Sequence, residues 1–233
     1  MQPLRVGLVM PSSNTVMEPD FHRHLGTECI VSTTRIFLEN VTREAEIRML
    51  EDDLPKAIQL IGTTAPELVV FGCTSAGALG TLAHDDEIST KVAKGANAQA
   101  VTVLRAVLTR LGTTGARKVA VFTPYMEDLT HSIAKSLAEA GFPPLKAAGM
   151  KIRANVEIGR VTPSEIVSFV ESQIDGCEPD CVFLSCTNWQ AIDAIDPLRR
   201  RLGIPIVSSN QAAIDIVRQT AAAKLPTGSA VGR

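Results

Sequence analysis

A chain of 233 residues with 45% apolar content is long enough to bury a substantial core, as one or two domains, without disulfide support. Its 23 basic and 25 acidic residues leave a net charge of −2 with no basic stripe, which argues against nucleic acid or an acidic membrane surface as a partner. The longest apolar runs fall short of a membrane span, and five cysteines form an odd set without secretory context, so free thiols in a reducing cytoplasm are expected.

The first residues, LRVGLVMPSSN, read as a strand and a turn rather than a signal peptide. VGLVM at 6–10 leads into PSSNT at 11–15, whose hydroxyls and amide are neutral donors suited to a carboxylate. Asn14 is the candidate there, with an Asx turn as its structural alternative. Cys29 lies in a short strand pattern, TECIV. A helical period covers 53–62, and ELVVFG at 67–72 reads as the next strand, ending at Cys73. A second helical period runs over 91–111. KVAVF at 118–122 then leads to TPY at 123–125, and a helix is expected over 127–140. Thr162, Pro163 and Glu165 supply an N-cap, a first-turn proline and a capping-box acid for a helix reaching about Ile174. CVFLS at 181–185 and IPIV at 204–207 complete the strands, helices are expected over 189–202 and 209–223, and LPTGSAVGR reads as a loose terminus. Continuous Val, Ile and Leu runs of this kind are strands buried on both faces, so the expected class is α/β with parallel sheets.

PELVVFGCTS at 66–75 returns as PDCVFLSCTN at 179–188, an offset of 113. The same offset pairs Pro11 with Pro124, Pro66 with Pro179, Val69 with Val182, Cys73 with Cys186, Thr74 with Thr187, Asn97 with Asn210 and Arg105 with Arg218. A constant spacing across strand ends predicts two copies of one βα unit, with a first α/β subdomain over 1–112 and a second over 113–233. Duplicated halves packed about a pseudo-twofold axis set equivalent strand ends face to face, so Cys73 and Cys186 are expected to oppose each other across a cleft. Ligands bind at the carboxyl ends of parallel strands, and both cysteines stand between a strand and a helix start, where a thiolate is favoured. Two such thiols can act on one small substrate as acid and base, or as nucleophile and proton donor, with no cofactor. The structural alternative is that both are small core residues.

Cys29, Cys177 and Cys181 read as packing residues, and the spacing of Cys177, Cys181 and Cys186 fits no common zinc site, so no metal is expected. His22, His24 and His84 are expected at a solvated surface and His131 at the surface or lining the site; none is placed beside a cysteine by the sequence. No Gly-rich phosphate loop follows the first strand, which disfavours nucleotide binding. Tyr125, the only tyrosine, is a candidate donor to a carboxylate, with a half-buried structural tyrosine as its alternative.

PSSNT, CTS at 73–75, PY at 124–125, the Asn of RANVEIGR at 153–160 and SCTN at 185–188, in this order, resemble the aspartate/glutamate racemase superfamily and its maleate cis-trans isomerase group, which includes arylmalonate decarboxylases. The resemblance implies two Rossmann-like subdomains with the active site between them, cofactor-independent chemistry, and a homodimer. By motif it makes Cys73 the nucleophile that adds to maleate and Cys186 the proton donor. It assigns Asn14, Thr74, Ser75, Tyr125, Asn155, Thr187 and Asn188 to the two carboxylates; Asn155 is singled out by the resemblance alone. Arylmalonate decarboxylases in this superfamily have glycine at the first cysteine position, whereas this chain has both thiols. Trp189 departs from the smaller aliphatic side chain expected in maleate isomerases and leaves the acid open. A two-cysteine racemase, an arylmalonate decarboxylase-like enzyme and a non-catalytic carboxylate binder of ectoine-type catabolism remain as alternatives.

Overall fold

The computed structural model describes residues 2–224. Its first half contains β1 (Leu4–Pro11), α1 (Met17–Leu25), β2 (Cys29–Ile36), α2 (Arg43–Arg48), α3 (Leu54–Gly62), β3 (Leu68–Phe71), α4 (Thr74–Gly77), α5 (Leu82–Ala96), β4 (Gln99–Thr102) and α6 (Val103–Thr114). The second contains β5 (Val119–Thr123), α7 (Glu127–Glu139), β6 (Pro144–Gly149), α8 (Asn155–Arg160), α9 (Pro163–Ile174), β7 (Cys181–Leu184), α10 (Ala191–Leu202), β8 (Ile206–Ser208) and α11 (Ser209–Ala223). The segment LPTGSAVGR, expected to be a loose terminus, lies outside the described residues.

Two four-stranded sheets result, ordered β2-β1-β3-β4 and β6-β5-β7-β8, and every pairing is parallel. The α/β class with parallel sheets holds. The central strands are buried along their length because each is covered on both faces, which is why they carry unbroken apolar runs. Phe21, Phe71, Phe122 and Phe183 are fully buried, and the core runs continuously from one sheet to the other. At about 1.5–3 kcal/mol for each large apolar side chain, this burial dominates the forces holding the halves together. The capping box at Thr162 forms as expected, with Glu165 Oε2 accepting from the Thr162 backbone N–H at 2.8 Å.

The repeat reaches the level of register. Val6 pairs with Leu68 and Gly7 with Val69; 113 positions on, Val119 pairs with Cys181 and Ala120 with Val182. It then fails. Val69 pairs with Ala100, but Val182 pairs with Ile206, seven residues earlier than the offset requires. Asn97 caps the end of α5 in the left-handed region, whereas Asn210 lies in the first turn of α11. The expected pairs Asn97/Asn210 and Arg105/Arg218 are therefore coincidences of spacing, because the four-residue α4 has no counterpart among the described elements of the second half and the helix before β8 is three residues shorter than the helix before β4.

The expected helix over 91–111 is two helices separated by β4. Asn97 stops α5, and the Thr102 side chain accepts from Arg105 N to start α6. α6 crosses the expected 112/113 division, and α11 packs back on α6 and α1, with Arg110 paired to Asp215 at 3.2 Å. In the segment Ala76–Asp86, a candidate lid on the strength of Gly77 and Gly80, Ala76 through Leu79 are buried and α5 begins at Leu82.

Asp85 anchors that packing. Its carboxyl is buried and accepts from Thr102 Oγ1 at 2.7 Å, and a Cβ added at Gly77 would come within 2.5 Å of Asp85 Oδ1. Burial raises its pKa from 3.8 to about 6, against the opposing pull of Thr102 and Arg105. Across that window the native state retains a proton the unfolded chain has lost, so stability falls as pH rises through it. Asp85→Asn removes the titration. The stability difference between wild type and this variant, read from urea midpoints, is expected to shift by about 2–3 kcal/mol in favour of the variant between low and neutral pH. A difference independent of pH would contradict the assignment.

Candidate active site

Each sheet delivers its site residues in the same way. Gly72 N donates to Val9 O at 2.7 Å at the end of β3, and Ser185 N donates to Phe122 O at 2.9 Å at the equivalent end of β7. The chain then leaves the sheet, placing Cys73 and Cys186 one residue beyond. Both thiols are buried, 4% and 3% exposed, and close enough to each other to interact electrostatically. The opposition of the two halves is fastened by hydrogen bonds between their strand-end turns.

Asn14 Nδ2 donates to Thr187 Oγ1 at 3.0 Å, and Thr187 Oγ1 donates to Gly72 O at 3.0 Å. Asn14 Oδ1 accepts from Val16 N and Met17 N, so the Asx-type turn is realised and starts α1. Asn188 Oδ1 accepts from Thr15 N at 2.8 Å, while its Nδ2 donates to Asn155 O at 2.6 Å. Asn155 Nδ2 in turn donates to Ser13 Oγ at 2.9 Å. Thr74 Oγ1 donates to Ser209 Oγ at 3.0 Å and ties α4 to α11. All nine candidate residues are buried at or beside this junction. Asn210, read only as part of the repeat, joins it by donating to Thr187 O at 3.0 Å and to the buried Asp20 carboxylate at 2.8 Å.

The expectation of a helix-stabilised thiolate is overturned. Burial, then the neighbouring Glu46 carboxyl, pushes the Cys73 thiol well above its ordinary value, and hydrogen bonds from Ala76 N and Ser75 do not compensate. α4 has only four residues, too short a dipole to match that desolvation. Burial likewise pushes Cys186 up to about 12, although Asn188 N donates to its sulfur at 3.2 Å and Tyr125 lies against it. Tyr125 is itself raised by burial and by both thiols, so it stays a neutral donor. Among the described residues no three His, Cys, Asp or Glu side chains cluster as a metal site. Cys181 is buried in β7, and Cys29 and Cys177 are part-buried away from the junction. His22 and His131 are exposed; His24 and His84 are half-buried rather than solvated, each with Nε2 shut off from water and without a partner among the described residues.

Glu46 is the site residue that sequence reading missed. It sits on α2, fully buried, where Oε1 accepts from Ser75 Oγ and from Cys73 Sγ at 3.7 Å. The available signal was periodicity: in VTREAEIRML, Glu46 shares a helix face with Met49 and Leu50, both buried, while Arg43, Glu44 and Arg48 face solvent. A π-helical turn, Met49–Asp53, continues this helix into α3.

Residues 6–231 match the family model described as arylmalonate decarboxylase. The chain belongs to that family. A maleate isomerase of Nocardia farcinica is 27% identical over 215 residues, covering 88% of this chain and 85% of the relative. The arylmalonate decarboxylase of Bordetella bronchiseptica is 26% identical over 215 residues, covering 91% and 89%. In three dimensions, a cysteine-to-serine variant of the Nocardia farcinica maleate cis-trans isomerase, with a covalently bound succinylcysteine intermediate, superposes with a TM-score of 0.86 at 24% identity, covering 93% of this chain and 92% of the other. These relatives are enzymes, and the fold is theirs. Among the described residues no helix is long and apolar enough to cross a membrane.

Proposed function

We propose that the chain is a cofactor-independent cis-trans isomerase of maleate or a closely related small unsaturated dicarboxylate. The observation that carries this reading is a thiol at both positions, 73 and 186, each buried at a junction of amides and hydroxyls contributed by both halves. The Cys73 sulfur, once deprotonated, adds to one alkene carbon, and the adjacent carbon takes the proton of Cys186. The former double bond is then a single bond and rotates. Cys186 sulfur withdraws a proton from the same carbon, the double bond reforms in the trans geometry, and the Cys73 thiolate departs. Asn14, Thr74, Ser75, Tyr125, Asn155, Thr187 and Asn188 are proposed to hold the carboxylates. Amides and hydroxyls suit a carboxylate that swings during rotation, because a salt bridge would resist the swing. A cytoplasmic homodimer is the proposed setting.

Cys186→Ser supplies the test. Serine keeps the pocket, and water or the hydroxyl supplies the proton that completes the adduct, but no thiolate is left at 186 to withdraw it again, so the variant is expected to retain the adduct after incubation with maleate, seen by intact mass as a gain of one maleic acid mapped to Cys73. A variant that stays unmodified, while wild type forms no fumarate by proton NMR, would sink the proposal. The family match favours a second reading, decarboxylation of an arylmalonate. Loss of carbon dioxide from phenylmalonate without any fumarate from maleate would select it.

A further inference from the structure

Glu46 is an acidic side chain buried against the Cys73 thiol, an arrangement that a purely structural role does not explain. Oε1 is held by Ser75 Oγ and faces Cys73 Sγ at 3.7 Å, with the sulfur as donor. Oε2 is equally buried and has no partner among the described residues. Cys73 and Ser75 from the turn into α4 contact this carboxyl, and Arg43 on α2 itself, Asp128 on α7, and Tyr125 and Cys186 from the second half lie within electrostatic range of it. The Arg43 guanidinium is turned to Leu79 O at 2.8 Å, and among the described residues Glu46 forms no ion pair.

We infer that Glu46 is the proton acceptor for Cys73: the S–H bond breaks, the proton passes to a carboxyl oxygen, and the electron pair left on sulfur is the nucleophile. The inference rests on Cys73 being the attacking group of the proposed isomerisation. Burial raises Glu46 to about 8, so the pair loses one of its two protons near pH 8 and above that shares the one that remains. When that proton is on Glu46, the negative charge is on sulfur alone. A neutral carboxylic acid beside a dicarboxylate avoids the repulsion that a fixed carboxylate would impose. It can also donate from the oxygen that now lacks a partner. Ser75 holds the carboxyl in place while the proton moves.

The test is the rate at which iodoacetamide alkylates Cys73 in the full chain, read by peptide mass spectrometry between about pH 6 and 10. Wild type is expected to gain reactivity through a limb near pH 8, where the pair loses the first of its two protons. Glu46→Gln is expected to lose that limb and to react about tenfold or more slowly at its upper end, while Glu46→Asp keeps a displaced limb. Glu46→Gln labelling at the wild-type rate with the wild-type limb overturns the inference. Should Glu46→Gln not fold, Glu46→Asp decides: an undisplaced limb overturns the inference and a displaced one supports it. Alkylation is read without maleate, so the two readings fail separately. Loss of the limb with no fumarate from wild type supports the pair and removes the isomerase, whereas fumarate with an unchanged limb does the reverse.

Discussion

Replacing Cys73 with serine is expected to lower the conversion of maleate to fumarate by at least about 10³-fold in kcat, with the fold intact. The magnitude follows from the site. The wild-type thiol is already pushed well above its ordinary value by burial and by Glu46, and a serine hydroxyl is a far weaker acid still. A buried carboxyl near 8 can share a proton with a thiol but cannot deprotonate an alcohol to any useful extent. The fold is expected to survive because serine adds no volume and Glu46 Oε1 keeps the bond it accepts from Ser75 Oγ. Proton NMR of the fumarate vinyl signal, with circular dichroism as the folding control, reads the result. A serine variant turning over at a rate near wild type would remove Cys73 from the chemistry and with it the covalent mechanism.

The contrast between Cys73 and Glu46 shows what the sequence could and could not carry. Both cysteines were legible because they end unbroken apolar runs, and such runs exist only where a strand is buried on both faces. β2, β4 and β6 lack that signature. β2 and β6 are edge strands, and STTR in β2 and KAAG in β6 leave half-exposed positions with polar or small residues. β4 is four residues long and carries on the period of the helices on either side. Glu46 was hidden for a different reason. Acidic residues in a helix's first turn ordinarily face solvent, and only the packing of α2 against α4 turns this one inward. Protonation was the least legible of all, because desolvation is a property of the assembled junction and belongs to no single motif.

Trp189 is where packing and specificity meet, and Trp189→Ala is expected to destabilise the chain by about 3–5 kcal/mol, the largest single loss in the core. The indole is fully buried in the bend between Asn188 and α10, and it leads the fully buried side chains in size. Its Nε1–H has no partner among the described residues, which offsets part of what the ring contributes, by about 1–3 kcal/mol. Trp189→Phe therefore separates the two contributions: it keeps an aromatic ring, removes the orphaned donor, and is expected to stay within about 1.5 kcal/mol of wild type. Urea unfolding, followed by circular dichroism because this is the only tryptophan, measures both variants. Equal losses for alanine and phenylalanine would show that the indole nitrogen, not the ring, is what the site needs. Kinetics add the second half of the argument. Asn188 precedes the indole and bridges Thr15 to Asn155, so a ring that only packs beneath this turn controls how firmly the turn is held. Trp189→Phe should then lower kcat modestly and leave KM for maleate near wild type. A KM that moves by about tenfold or more with kcat unchanged would instead put the indole against the substrate and make it the residue that sets the size of acid accepted.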